Sequence, residues 1–177
     1  LAGRHGFDHP VVIADAGLLS KKNIEDLEAE KYEYILGARV KSETAEVKEA
    51  ILGMNLENGD VRCIDKANGV RLIVSMSDKR AAKDEAMRKK GLQRLEKRFQ
   101  TGKLTKANVN NRGYNKYLKM DGDVSVTIDM DKFNADAAWD GIKGYVTNTK
   151  LSDAEVISNY SNLWFIERAF RMNKGDL

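Results

Sequence analysis

Hydrophobic positions along this chain form short runs and short alternations, separated by stretches of helical spacing. Val11-Val12-Ile13-Ala14 is a continuous apolar run that stops at Asp15-Ala16-Gly17, the pattern of a strand covered on both faces. A helix is expected over residues 20–30, with Ile24 and Leu27 facing inward, and a second strand over residues 32–40. Strand, helix and strand in that order predict a parallel crossover. A helix over residues 44–52 then precedes strands over 61–65 and 70–76, joined through Asn68-Gly69, a hairpin signal. In the second of these, Val70, Leu72, Val74 and Met76 alternate with Arg71 and Ser75, which predicts one buried and one wet face.

Residues 78–99 read as a long helix with Leu92, Leu95 and Phe99 as its inner stripe. Val124, Val126, Ile128 and Met130 alternate with Ser125, Thr127 and Asp129 as in a half-buried strand, Trp139-Asp140-Gly141 is a turn, and residues 142–146 are the last strand. Residues 152–174 predict one long helix, opened by a capping box of Ser152 and Glu155. Tyr160, Glu167 and Lys174 stand seven apart and therefore share a face. Ile157, Leu163, Trp164 and Phe170 lie on or beside that face, so Glu167 sits at the edge of an apolar stripe. Periodicity leaves two readings of it open: a solvated acid on an amphipathic helix, or a metal ligand or acid/base group aimed at a cleft.

Length and composition narrow the picture. A chain of 177 residues with 42% hydrophobic and 32% charged positions is a globular domain, or a core with a sizeable insertion. No apolar run approaches the roughly 20 residues of a membrane helix and no signal-peptide pattern is present, so a cytoplasmic protein is expected. Cys63 is the single cysteine and His5 and His9 the only histidines, which argues against a Cys/His zinc site. A metal here would be a hard cation on carboxylates. Because the chain opens on Leu1, it is expected to be cut from a longer protein.

Charge is unevenly distributed. Residues 79–119 carry fourteen Lys and Arg against three acids, a net +11, while the remainder carries 16 bases and 24 acids, a net −8. A shorter run would read as a solvated helix face; an excess of this size favours a polyanion partner. Tyr114 and Tyr117 lie among these bases, where aromatic rings can stack on unpaired nucleobases, a weak signal from two residues. Trp139 and Trp164 invite the same reading, with core burial the better one.

Several chemistries drop out. There is no Gly-rich phosphate loop, no Gly-x-Ser-x-Gly elbow and no Cys with a plausible His partner. Asp15 at the carboxyl end of a strand and Glu167 on a helix face, with a basic segment between them, suit two-metal phosphoryl transfer. Two carboxylates are too few for two metals, so a third is expected upstream of Leu1.

The end of the chain resembles bacterial insertion-sequence transposases of the DDE class, whose carboxyl-terminal signature is Tyr, two residues, Arg, three residues, Glu, six residues, Lys. Here it falls on Tyr160, Leu163, Glu167 and Lys174, with Leu163 at the Arg position. Asp140-Gly141, Thr147-Asn148 and Phe170-Arg171 also resemble that family's surroundings of the motif, and Val-Ile-Ala-Asp-Ala-Gly resembles its strand carrying the second catalytic Asp, here Asp15. The resemblance implies an α/β fold with a ribonuclease H-like core, incomplete at the N-terminus, and a mixed α+β insertion. Residues 1–40 and 139–177 would form the core and 41–138 the basic insertion.

It further implies DNA strand cleavage and joining at transposon ends, with Mg²⁺ or Mn²⁺ held by Asp15 and Glu167. DNA is the implied partner, with a homodimer in the synaptic complex and a nucleoid-associated bacterial setting. Tyr160 and Lys174 would contact phosphates near the cut, and Arg168 or Arg171 would replace the missing signature Arg. Arg80, Lys83, Arg88 and Lys89 are the DNA-contact candidates of the basic insertion. The competing reading is a non-catalytic or degenerate DNA-binding domain.

Overall fold

The computed structural model describes residues 11–17, 20–122 and 125–163. Of these, the residues up to Ser75 together with those from Lys143 onward form one compact unit, and Met76–Ile142 forms a second. The first is built on a five-stranded mixed sheet in the order β1-β2-β7-β4-β3, and the molecule is mixed α/β as expected.

Strand β1 (Val11–Ala14) runs parallel to β2 (Glu33–Ala38), with Ile13 opposite Ile35 and Ala14 opposite Leu36. Helix α1 (Lys21–Ala29) makes the crossover, its first turn closed by Ser20, whose hydroxyl accepts from the Asn23 N–H. Ile24 and Leu27 are half-buried in it. Because β1 lies at the sheet edge, it is only partly covered and Val11 is exposed; an unbroken apolar run does not by itself reveal an edge. Strand β7 (Ile142–Thr147) pairs antiparallel with β2, placing Tyr145 opposite Gly37.

Helix α2 (Ala45–Gly53), capped by Thr44, leads to the hairpin of β3 (Val61–Asp65) and β4 (Arg71–Met76). The turn matches expectation: Asn68 and Gly69 both take positive φ, 60° and 74°, the conformation that Asn and Gly tolerate at least cost. The wet face expected for β4 is not there. Leu72, Ile73 and Val74 are all fully buried, because β4 is an inner strand with β3 on one side and β7 on the other. Residues 153–163 are helical and are called α5; the capping box at their start is formed, with the Ser152 N–H donating to Glu155 Oε2 (2.8 Å) and the Glu155 N–H to Ser152 Oγ (3.3 Å). Val156, Ile157 and Tyr160 of α5 pack on the face carrying Ile13, Ile35, Ile73 and Tyr145.

The second unit is organised around α3 (Asp78–Gln100). Leu95 joins Tyr117, Leu118, Val126 and Phe133 in its core, with Leu92 half-buried against them. Phe99 does not belong to that stripe and is half exposed. Strand β5 (Leu118–Asp121) pairs with β6 (Ser125–Ile128), and the latter ends earlier than its alternation suggested. Asp129 caps α4 (Met130–Ala135) by accepting from the Lys132 N–H, so Met130 begins a helix and points outward. Gly91 is required where it stands: an ideal Cβ would lie 2.1 Å from the Tyr114 ring.

Arg88 lies across this unit. Its guanidinium bonds Asp140 through Nη2 (2.5 Å), stacks 4.9 Å from the Phe133 ring centroid, and leaves the two charged side chains 11% and 16% exposed. Truncating one partner of such a pair strands the other charge out of water. Arg88→Ala is therefore expected to destabilise the fold by about 3 kcal/mol, and Lys83→Ala, at an exposed position, by under about 0.5 kcal/mol. Urea unfolding of the two variants checks the contrast.

Candidate functional site

Asp15 is the first residue past β1 and is exposed. Its Oδ1 accepts the Gly17 N–H at 2.7 Å, a tight turn that leaves no room for a Cβ at Gly17, which would meet the same oxygen at 2.7 Å. The register pairs Ile13 with Ile35 and Gly37 with Tyr145, positions that alternation puts on one face, and Asp15 follows β1 at the same end of the sheet. Helix α5 covers that face.

Tyr160 reaches into this row from α5. Its ring meets Tyr145 edge-on, centroids 5.1 Å apart, and its hydroxyl sits where a Cβ of residue 37 would be, 2.5 Å from that position; the Ala16 N–H lies 3.1 Å from the same point. The tyrosine hydroxyl is thus beside the turn that presents Asp15. A glycine inside a buried strand is a known mark of close approach, and Gly37, passed over in the sequence pattern, is the residue that could have signalled it. Lys143 adds a cation here, its Nζ 4.5 Å from the Tyr160 centroid and 5.0 Å from that of Tyr145.

The start of α5 is anchored by Arg71, which sequence patterning treated only as the outward residue of a strand. Its guanidinium donates to Asp153 Oδ1 (3.0 Å) and to the carbonyls of Thr149 (3.1 Å) and Leu151 (2.5 Å). Thr147 and Asn148 tie β7 to the start of β2: Asn148 Oδ1 accepts the Tyr34 N–H (2.8 Å), its Nδ2 donates to the Tyr32 carbonyl (3.1 Å), and the Thr147 hydroxyl donates to the Tyr34 carbonyl (2.7 Å). These two residues extend the ladder with side chains.

Glu167, Lys174, Arg168, Arg171 and Trp164 lie outside the described residues. Among the described residues no group of three or more His, Cys, Asp or Glu side chains is gathered as a metal site. Asp15 is an exposed carboxylate at a strand end, a donor type that suits a hard divalent cation.

In the second unit the basic residues divide by helix face. Arg88 is occupied with Asp140; Arg80 and Lys89 are exposed and make i,i+4 pairs with Asp84 and Glu85. Directly opposite the buried side, Lys79, Lys83, Lys90, Arg94 and Lys97 are all exposed. At 3.6 residues per turn they fall within about 60° and extend for about 27 Å, and no acid of α3 falls within that stripe. Tyr117 is not a base-stacking residue: it is buried, edge-on to Phe133 at 5.3 Å, and its hydroxyl donates to Asp136. Tyr114 covers Gly91, and Trp139 is half-buried.

An acid at the end of a strand, a helix tyrosine laid over a glycine beside it, and a separate basic unit suit a domain that acts on a polyanion. The chain matches the transposase DDE domain family over residues 2–177 and belongs to it. Membership implies DNA transposition by metal-dependent catalysis, with DNA as substrate. No curated protein and no solved structure matches the chain. Among the described residues no helix is long and apolar enough to cross a membrane.

Gly37→Ala pushes its new methyl against the Tyr160 hydroxyl. Overpacking of this kind costs about 1–3 kcal/mol, and adding Tyr160→Phe to the same chain is expected to recover part of that loss. Denaturant midpoints of the single and double variants measure it; additive losses would mean the two positions do not meet.

Proposed function

We propose that the chain is the catalytic domain of an insertion-sequence transposase with a ribonuclease H-like core, cutting and joining DNA at the ends of its element. The observation that carries this reading is the Tyr160 hydroxyl laid over Gly37 and beside the Ala16 nitrogen, in the turn that follows Asp15. It supports the assignment because the signature tyrosine and the strand-end acid, 145 positions apart in sequence, are brought to one end of the same sheet.

Asp15 and Glu167 are the metal ligands in this reading, and a third carboxylate is required beside them. Mg²⁺ or Mn²⁺ held there would supply an activated attacking oxygen and charge neutralisation at the leaving one. Tyr160 holds its helix to the sheet and presents a hydroxyl beside the Asp15 turn. Lys174, with Arg168 or Arg171, is assigned to backbone phosphates near the cut. Leu163, at the signature Arg position, is half-buried, which suits packing and leaves that contact to a neighbour.

The basic stripe of α3 is the second arm of the reading. Five outward cations without an interleaved acid favour a phosphate backbone over a protein partner, because each phosphate neutralised releases a counterion. Of the four sequence candidates, Lys83 lies in the stripe, Arg80 and Lys89 flank it, and Arg88 serves the unit's interior. The same stripe would serve a domain that only binds DNA, so catalysis must be tested at the acids.

In full-length protein, Asp15→Asn and Glu167→Gln are each expected to abolish strand cleavage while leaving DNA affinity within about twofold, since only metal ligation is lost. Cleavage retained in either would remove that residue from the site. Replacing Lys83, Lys90 and Arg94 together by Gln is expected to flatten the plot of log affinity against log salt by about 2.7, at roughly 0.9 per phosphate contact; an unchanged slope would place the stripe away from DNA.

A further inference from the structure

The outward cations of α3, Lys79, Lys83, Lys90, Arg94 and Lys97, are exposed, and among the described residues none of them has an ion-pair partner. What flanks them differs on the two sides. The exposed acids of the helix, Asp78, Glu85 and Glu96, fall within about 20° of one another and about 100–120° from one edge of the stripe, at about 100° per residue. Lys89 stands among them and is tied to Glu85. On the other side Met87 lies about 20° from the stripe's edge, and Arg80 and Arg98 about 40°. Met87 is 52% exposed and occupies the gap between Lys83 and Lys90. Arg80 pairs with Asp84, and Arg98 donates to Asn115 Oδ1.

A helix about 10–12 Å across fills a major groove about 12 Å wide, so a helix laid inside that groove has phosphates along both of its sides. Placed there, α3 would turn its acids toward one wall, where like charges repel and no counterion is released. A helix lying along the outside of one backbone meets phosphates over a single sector of its circumference. The charges of α3 fit the second arrangement: cations fill the sector from the stripe toward Met87, and the exposed acids stand on the far side.

We propose that α3 docks on the outside of a single DNA backbone through the sector that runs from its basic stripe to Met87, with the flank of Asp78, Glu85 and Glu96 turned away from the duplex. The proposal rests on the reading of the stripe as facing DNA. It adds the side on which the backbone lies, and with it indifference to base sequence, since phosphates carry no base identity. Met87 then faces the sugar-phosphate chain, and a positive charge placed there gains a phosphate contact.

The test adds a lysine on each flank in turn, Met87→Lys on one and Gln93→Lys on the other. Both native residues are exposed and stand three positions from Lys90, and Lys is a good helix former, so the fold tolerates either change. Full-length protein is titrated with a fluorescent duplex of arbitrary sequence across a range of NaCl concentrations without divalent metal. Met87→Lys is expected to raise affinity several-fold at low salt and to steepen the log–log slope by about 0.9, one further phosphate contact. Gln93→Lys, on the side of Glu96, keeps the native slope. The gain at Met87 is expected to be the same on a second duplex of unrelated sequence; a gain confined to one of them puts base contacts under the helix and overturns the proposal. Steepening in both variants means phosphates on both sides, a groove-bound helix, and also overturns it, as does steepening in neither or in Gln93→Lys alone. The triple replacement of Lys83, Lys90 and Arg94 separates the two readings: an unchanged slope there defeats the stripe itself, whereas a flattened slope there with steepening at Gln93 defeats only the docking side.

Discussion

Helix α5 closes onto the central sheet where β2 carries no side chain, at residue 37. A Cβ there would stand 2.5 Å from the Tyr160 hydroxyl and 3.1 Å from the Ala16 nitrogen, so one missing methyl group admits both the tyrosine and the turn that follows β1. Everything placed on that face follows from this packing. Val156, Ile157 and Tyr160 close over Ile13, Ile35, Ile73 and Tyr145, burying apolar surface at about 25 cal/mol per Å². Arg71 secures the start of the same helix through one carboxylate and two carbonyls, so the burial and the polar anchor set its position from two sides.

Positive charge is used in three distinct ways along the chain. Arg88 is spent inside the second unit, where Asp140 and Phe133 satisfy it. The outward cations of α3 remain in water, where long-range attraction to a polyanion is their main effect and salt screens it. Lys143 is intermediate, partly covered and seated on aromatic rings. Counting bases between residues 79 and 119 cannot separate the first two uses, because helix periodicity, and not density, decides which face a residue occupies.

Local signals were legible in the sequence and long-range ones were not. The Asn68-Gly69 turn, the Ser152–Glu155 capping box, the parallel crossover from β1 to β2 and the length of α3 all depend on neighbours in the chain, and all are present. The burial of Ile73 depends on β4 lying beside β7, whose residues come about seventy positions later. Tyr117 was misread for the same reason, since its partners Phe133 and Asp136 arrive from a later segment. Asp15 stands where the pattern placed it, just past the end of β1. The anchoring by Arg71 could not be read, because its partners Asp153, Thr149 and Leu151 come from a later segment.

The central claim is that the Asp15 edge of the sheet holds the catalytic metal. Iron(II)-directed hydroxyl-radical cleavage of the full-length polypeptide tests it most directly, because radicals formed at a bound ion cut only the backbone beside it. Cuts grouped at residues 14–17, 36–38 and 143–145, suppressed by excess Mg²⁺ and lost in Asp15→Asn, are the predicted result. Cuts that avoid all three segments, or that persist unchanged without the Asp15 carboxylate, would contradict the account.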